Sequence, residues 1–216
     1  MGSQNIKKLI IAPHADDDVL GCGGILNSDS FVYYCGIDEF LVEKEIVEGN
    51  PENRIPLERR KQEIQDVANF LGFQYEINLD NKVNHYKETD SIKQLEELIN
   101  RIKPERIFIP FSSYNQDHRA VYNAARIALR PHDKNFFVKK VLVYEQPHSI
   151  IWEDKEFNVN YFVQIDIERK IHAYKIHASQ VRSMRSPEVL MAIAKIRGTQ
   201  ANCEYAEAFR IERWVE

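Results

Sequence analysis

Two short stretches of the chain combine side chains that can move a proton or hold a cation. The first is Pro13-His14-Ala15-Asp16-Asp17-Asp18, and the second is Ser112-Ser113-Tyr114-Asn115-Gln116-Asp117-His118. Three adjacent carboxylates repel one another unless a cation compensates them or helix N-terminal amides accept them. Capping accounts for one or two acids but not for His14, so spacing alone leaves helix capping and metal binding both open. If the two stretches meet, His14, Asp17 and His118 make a two-histidine, one-carboxylate set of the kind that binds zinc and leaves one position open. Water at such a position has a pKa of about 7, which supplies hydroxide for attack on an amide.

The elements that must carry these residues are readable from periodicity. Apolar runs precede both stretches, Lys7 to Ala12 before the first and Arg106 to Pro110 before the second. Similar runs at Phe31 to Ile37, Gln74 to Leu79 and Val138 to Tyr144 predict further buried strands. Helical patterns lie between them: Ile55 to Leu71 with Gly72 as C-cap, Asp90 to Ile102 ending before Pro104, and His118 to Leu129 ending before Pro131. This alternation predicts an α/β fold, a Rossmann-like, mostly parallel sheet with helices on both faces. Ligands in such folds bind at the carboxyl ends of the strands. The last third predicts a strand at Tyr161 to Ile165, helices at Glu168 to His177 and Pro187 to Arg197, and a strand near Ala208 to Trp214. No linker or repeat interrupts the chain, so residues 1–216 are expected to form one domain. Glu43 to Arg54, with Gly49, Asn50 and Pro51, is expected to be a mobile loop able to cover a substrate.

Composition narrows the function. The chain has 216 residues, 44% of them hydrophobic, and a net charge of -4 from 33 acidic and 29 basic residues. No basic stripe marks a nucleic-acid or anionic-membrane surface, which favours a small polar substrate. Cys22, Cys35 and Cys203 fit neither a disulfide framework nor a zinc knuckle, and this points to a reducing compartment. No apolar run is long enough for a transmembrane segment, and no signal-peptide core stands at the start, so a cytoplasmic location is expected. A homo-oligomer is compatible with these features.

The same residues resemble the PIG-L/LmbE-like N-acetylglucosamine deacetylases, whose signatures are a His-Pro-Asp-Asp-Glu type motif and a later Asp-His. The resemblance covers nearly the whole chain. It extends to Arg60-x-x-Glu63 through Ala68 and Leu71-Gly72, to Lys175-x-His177-x-Ser179-Gln180, and to Tyr205-Ala206-Glu207-Ala208-Phe209. It implies that His14, Asp17 and His118 hold the metal, Zn2+ or alternatively Fe2+ or Co2+, and that Asp16 is the general base. It also implies a small-molecule amino-sugar substrate. Asp117 is expected to orient a histidine or a substrate group, or to cap the following helix. Ala15 and Asp18 depart from the usual proline and glutamate. Asn115 stands where many relatives have a histidine that stabilises the oxyanion, so another donor must serve or the amide itself must donate.

His148, in Tyr144-Glu145-Gln146-Pro147-His148 after a predicted strand, is a candidate for that donor; the alternative is a surface histidine. Arg60 and His177 are candidate substrate-binding residues, against a solvated helix face and a solvent-facing histidine. Gly21-Cys22-Gly23-Gly24 lacks the spacing of a phosphate loop and reads as close helix packing. His85, His132 and His172 read as surface residues, and Trp152 and Trp214 as packing residues. The leading expectation is hydrolytic N-deacetylation. Its rivals are an α/β module that binds a nucleotide or sugar without hydrolysis, and a metal-retaining relative with a scaffold role.

Overall fold

A computed structural model describes residues 6–37, 40–41, 54–131, 133–151 and 157–216. The first strand, β1 (Lys8–Ala12), is buried at all five positions, as an apolar run must be when helices cover both faces of its sheet. β2 (Ser30–Tyr34), β5 (Gln74–Ile77), β6 (Arg106–Pro110) and β7 (Lys140–Tyr144) lie parallel to it. β9 (Ala206–Trp214) and β8 (Tyr161–Gln164) complete the sheet by antiparallel pairing. Among the described residues this gives seven strands in the order β5-β2-β1-β6-β7-β9-β8. A small antiparallel pair, β3 (Phe40–Leu41) with β4 (Arg54–Ile55), stands apart from it. The chain moves outward from β1 to β2 on one side and returns to β6 on the other. The order therefore reverses between β1 and β6, and their carboxyl ends form a crevice at the switch point.

Alternation along β1 divides the core. Ile10 and Ala12 join Val32, Tyr34, Phe108, Tyr144 and Phe209 on one face. That face is covered by α1 (Asp17–Cys22), α2 (Leu57–Leu71), α6 (Ile167–Ile176) and α7 (Pro187–Gln200). Leu9 and Ile11 join Ile107, Ile109, Val141 and Val143 on the other, under α3 (Glu88–Ile102) and α4 (Gln116–Ala128). α2 ends on Gly72, whose φ of 86° is the left-handed conformation that a residue without Cβ adopts freely.

The differences from the sequence reading are local. α4 begins at Gln116 rather than His118, because Asn115 supplies its N-cap. The short helices α1 and α5 (Pro147–Ile151) were not expected, and periodicity cannot signal helices of five or six residues. Residues 43–53 of the expected lid lie outside the described residues, as do His132 and Trp152. His85 and His172 are exposed.

The glycines of α1 permit a close approach. A Cβ at Gly21 would lie 2.2 Å from the Tyr144 ring, whose hydroxyl donates to the Ile11 carbonyl at 2.8 Å. Gly21→Ala must displace that ring or the helix, and overpacking of this kind costs about 1–3 kcal/mol. The urea midpoint should fall by that free energy divided by the m-value, with the m-value unchanged. An unmoved midpoint would show that the ring yields without cost.

Candidate active site

The turn from β1 into α1 is tight and internally bonded. The His14 amide donates to Asp17 Oδ2 at 2.8 Å, the Asp17 amide to the His14 carbonyl at 3.3 Å, and the Leu20 amide to the Asp16 carbonyl at 2.9 Å. Asp16 carries the strain of this turn, with φ 137° and ψ -23°, a conformation that side chains rarely adopt. Such backbone costs about 1–3 kcal/mol and persists only where its surroundings hold it.

Across the crevice, Asn115 Oδ1 caps α4 by accepting from the amides of Asp117 at 2.8 Å and His118 at 3.3 Å. Both residues therefore sit in the first turn of α4. The Asp117 carboxylate does not cap. Its Oδ2 accepts from the Asn84 amide at 2.5 Å and meets His14 Nε2 at 3.0 Å, while Oδ1 accepts from the Tyr86 amide at 3.3 Å.

These two junctions bring His14, Asp17 and His118 together. Asp17 Oδ2 lies 3.4 Å from His14 Nδ1 and 3.2 Å from His118 Nε2. One donor atom from each residue falls within 4.8 Å of the others, so the group can hold a metal ion. Gln146 Nε2 donates to Asp17 Oδ1 at 2.6 Å, leaving Oδ2 for the two imidazoles. With His14 Nε2 directed at Asp117, its Nδ1 is the nitrogen turned toward Asp17, an arrangement that fixes ring orientation and tautomer at metal sites.

Four acids share this buried region, and each meets burial differently. Burial opposes ionisation of Asp17, but His118 and His14 prevail and hold its pKa well below the usual range. Asp117 is likewise lowered against burial, by His14 and the Asn84 amide. Burial raises Asp16, partly offset by Arg185, whose Nη1 lies 2.8 Å from Asp16 Oδ2. Burial lifts Asp18 to about 7 although Tyr34 donates to it at 2.7 Å.

The remaining expected residues surround this group. His148 lies on α5, half-buried, with its ring centroid 5.3 Å from that of His118. Burial and then His118 push its pKa down to about 4, so the ring is neutral at neutral pH. Its Nε2 is buried without a hydrogen-bond partner among the described residues. Arg60 is buried on the inner face of α2, unlike exposed Arg59, with Asp16, Glu63 and Tyr86 as electrostatic neighbours. His177 is wholly buried behind the site, its Nε2 3.8 Å from Asp18 Oδ1, and burial pushes its pKa to about 3.

Sequence reading missed Arg185, Gln146, Asn84 and Tyr86. Gln146 had a signal, its place two residues past the end of β7. The others are delivered by irregular segments and had none.

Residues 9–129, more than half of the chain, match the family described as PIG-L, GlcNAc-PI de-N-acetylase. The chain belongs to the PIG-L family. Its fold is shared by the N,N'-diacetylchitobiose deacetylase of Pyrococcus horikoshii, at 22% identity and TM-score 0.69, over 96% of this chain and 84% of that one. It is shared by the 4-carboxy-2-hydroxymuconate hydratase of Pseudomonas putida, at 20% identity and TM-score 0.77, over 97% and 98%. A teicoplanin deacetylase in its zinc-inhibited form matches at 16% identity and TM-score 0.72, over 94% and 96%. No curated protein matches by sequence.

The acids also dictate the protonation of His14. Burial opposes a charge on His14, yet Asp117 and Asp17 outweigh it and raise its pKa from 6.5 to about 9. A raised histidine pKa stabilises the fold fully below the unfolded value of 6.5, and that contribution is lost as pH rises through about 9. A metal ion bound through His14 would have to displace its proton. Calorimetry in buffers of different ionisation enthalpy should therefore show about one proton released from His14 per ion at neutral pH, with affinity climbing roughly tenfold per pH unit until about pH 9. Binding without proton release would mean that His14 is already neutral.

Proposed function

We propose that this chain is a metal-dependent hydrolase that removes the acetyl group from the nitrogen of an amino sugar or its conjugate. The observation that supports this most directly is the convergence of His14, Asp17 and His118 beside a second, differently tuned carboxylate, Asp16. Two imidazoles and one carboxylate with room for another ligand suit Zn2+, with Fe2+ or Co2+ as alternatives. When bound, the ion supplies Lewis acidity, which acidifies a water and polarises an acyl carbonyl.

The chain's own residues do the rest. Asp17 ionises readily and serves as ligand, whereas burial makes Asp16 the stronger base, suited to take the proton of the attacking water and pass it to the leaving amine. Asp117 holds His14 through Nε2. His148, neutral and with an unpartnered Nε2, is the donor to the oxyanion of the tetrahedral intermediate. Asn115 Oδ1 is committed to the cap, so this residue assists substrate binding only through its amide nitrogen. Arg60 faces the substrate from α2, and His177 acts from behind Asp18.

A second reading comes from the hydratase fold relative, because acidified water and a carboxylate base also suit addition of water to a double bond. Acetate release separates the two. The protein should be loaded with one equivalent of metal, since a fold relative is known in a zinc-inhibited form. Acetate should then appear from a panel of N-acetylated sugars and vanish with a chelator. His118→Ala should lose stoichiometric metal. Asp16→Asn should keep the metal and lose about 100-fold or more in turnover. Metal retention in His118→Ala, or near-normal turnover in Asp16→Asn, would remove that residue from its role.

The oxyanion assignment has its own test. Losing one such donor costs about 3 kcal/mol in turnover, so His148→Ala should lower kcat about 100-fold with little change in KM. Asn115→Ala should chiefly lower stability, by about 1 kcal/mol for the lost cap. The reverse order of kcat effects would make Asn115 the donor.

A further inference from the structure

The amino end of the sheet, opposite the crevice, carries a charge pattern that hydrolysis does not use. Lys8, Arg106 and Lys140 open β1, β6 and β7, and the register sets Lys8 beside Arg106 and Arg106 beside Lys140. Partners in a parallel ladder share a face, so the three bases form one row on the side of Phe108 and Leu142, which α1 and α6 cover. Like charges side by side on a sheet are destabilising. Two members of the row are compensated. Lys8 Nζ meets Asp29 Oδ1 at 2.9 Å and donates to the Ile25 carbonyl at 2.6 Å, while Lys140 Nζ lies 3.9 Å from Glu216 Oε2 and 4.6 Å over the Trp214 ring. Arg106, between them, stands in no ion pair among the described residues. Arg169, in the first turn of α6, brings a fourth cation to the same face, and its partners are uncharged. Its Nη2 donates to the Leu26 carbonyl at 3.0 Å and the Leu71 carbonyl at 3.2 Å, while the Asp166 carboxylate is taken up by the Arg169 amide at 3.1 Å. Lys8, Arg106 and Arg169 line one cavity of about 310 Å³, whose other walls include Ile25, Phe108, Tyr161 and Val163. Small-molecule sites begin at about 300 Å³. The rise of β1 from Lys8 to Ala12 is about 13 Å, which separates this cavity from the His14, Asp17 and His118 group at the other end of the strand.

We propose that this cavity is a second binding site, for a small organic anion that presents a carboxylate or a phosphate to Arg106 and Arg169 and an apolar body to Phe108 and Tyr161. The guanidinium of Arg106 matches either oxyanion in bidentate geometry. Arg169 is already held in place by two backbone carbonyls, so little ordering is lost when a ligand arrives. The bound anion supplies the negative charge that the middle of the basic row lacks. Nothing in this assignment rests on the hydrolase reading, and the metal-binding group takes no part in it.

The test is calorimetric titration of the full chain, metal-loaded and chelator-treated, with phenyl phosphate, benzoate, neutral phenol and inorganic phosphate. At least one aromatic anion should bind roughly tenfold or more tightly than phenol, as charge-assisted hydrogen bonds require. Whichever of the two binds more tightly identifies phosphate or carboxylate as the group recognised. Phenyl phosphate should also exceed inorganic phosphate, because its ring removes apolar wall from water. The advantage over phenol should be the same in both protein forms. It should disappear in Arg106→Gln and survive in part in Arg106→Lys, which keeps the charge without the fork. Both variants should bind metal with the stoichiometry of the unmodified chain, which shows that the fold is intact. Equal binding of phenol and the aromatic anions overturns the proposal, and so does an advantage that survives Arg106→Gln. Equal binding of inorganic phosphate and phenyl phosphate overturns the part assigned to Phe108 and Tyr161. Anion binding that is lost on chelation assigns the anion to the metal and overturns the second site.

Discussion

Negative charge buried at the carboxyl end of a parallel sheet is the constraint on which the rest of this structure depends. Asp16, Asp17, Asp18 and Asp117 are each no more than 2% exposed. Buried carboxylates are tolerated only when paired, hydrogen-bonded or protonated, and the structure uses all three routes. Asp17 and Asp117 are held ionised by His14 and His118, Asp16 is offset by Arg185, and Asp18 is pushed toward protonation. The proton that Asp117 and Asp17 keep on His14 provides compensating positive charge. A site built this way is unfavourable to leave without positive charge, and its His14, Asp17 and His118 can hold a metal ion.

The fold makes that concentration of charge possible. The reversal of strand order between β1 and β6 opens the crevice, and the two junctions beside it bring residues over a hundred positions apart into hydrogen-bond contact. Nothing in the sheet interior has to change for this. The cost is local: the strained backbone of Asp16, held by the bonds of the β1–α1 turn. Tyr144 reinforces the same region from β7 by bonding the Ile11 carbonyl while packing against Gly21.

Much of this was legible in the sequence, for a physical reason. A strand buried on both faces must be a continuous apolar run, so β1, β6 and β7 announced themselves, and the acids and histidines at the strand-to-helix junctions after β1 and β6 could be placed at one edge. Asn115 carried a readable capping signal as well, since its side chain can reach the amides two and three residues on, yet the resemblance drew attention to oxyanion stabilisation instead. Arg185 was not legible. Its partner is set by the path of an irregular segment between α6 and α7, and neither periodicity nor motif spacing encodes that path. The antiparallel β8–β9 edge was hidden similarly, because an apolar strand pattern does not state its direction.

Asp16 and Asp17 show how neighbouring residues of one type acquire different chemistry. Both are carboxylates, both are buried, and one peptide bond separates them. Asp17 is surrounded by imidazoles and a glutamine amide, so its charged form is stabilised, as a cation ligand requires. Asp16, turned by its unusual backbone, faces guanidinium instead, and burial still outweighs that attraction and raises its pKa. Divergent environments for paired titratable groups separate acid–base roles at catalytic sites. Here the divergence follows from geometry: the turn that strains Asp16 is what places the two carboxylates among different neighbours, so acids adjacent in the chain do not share an environment.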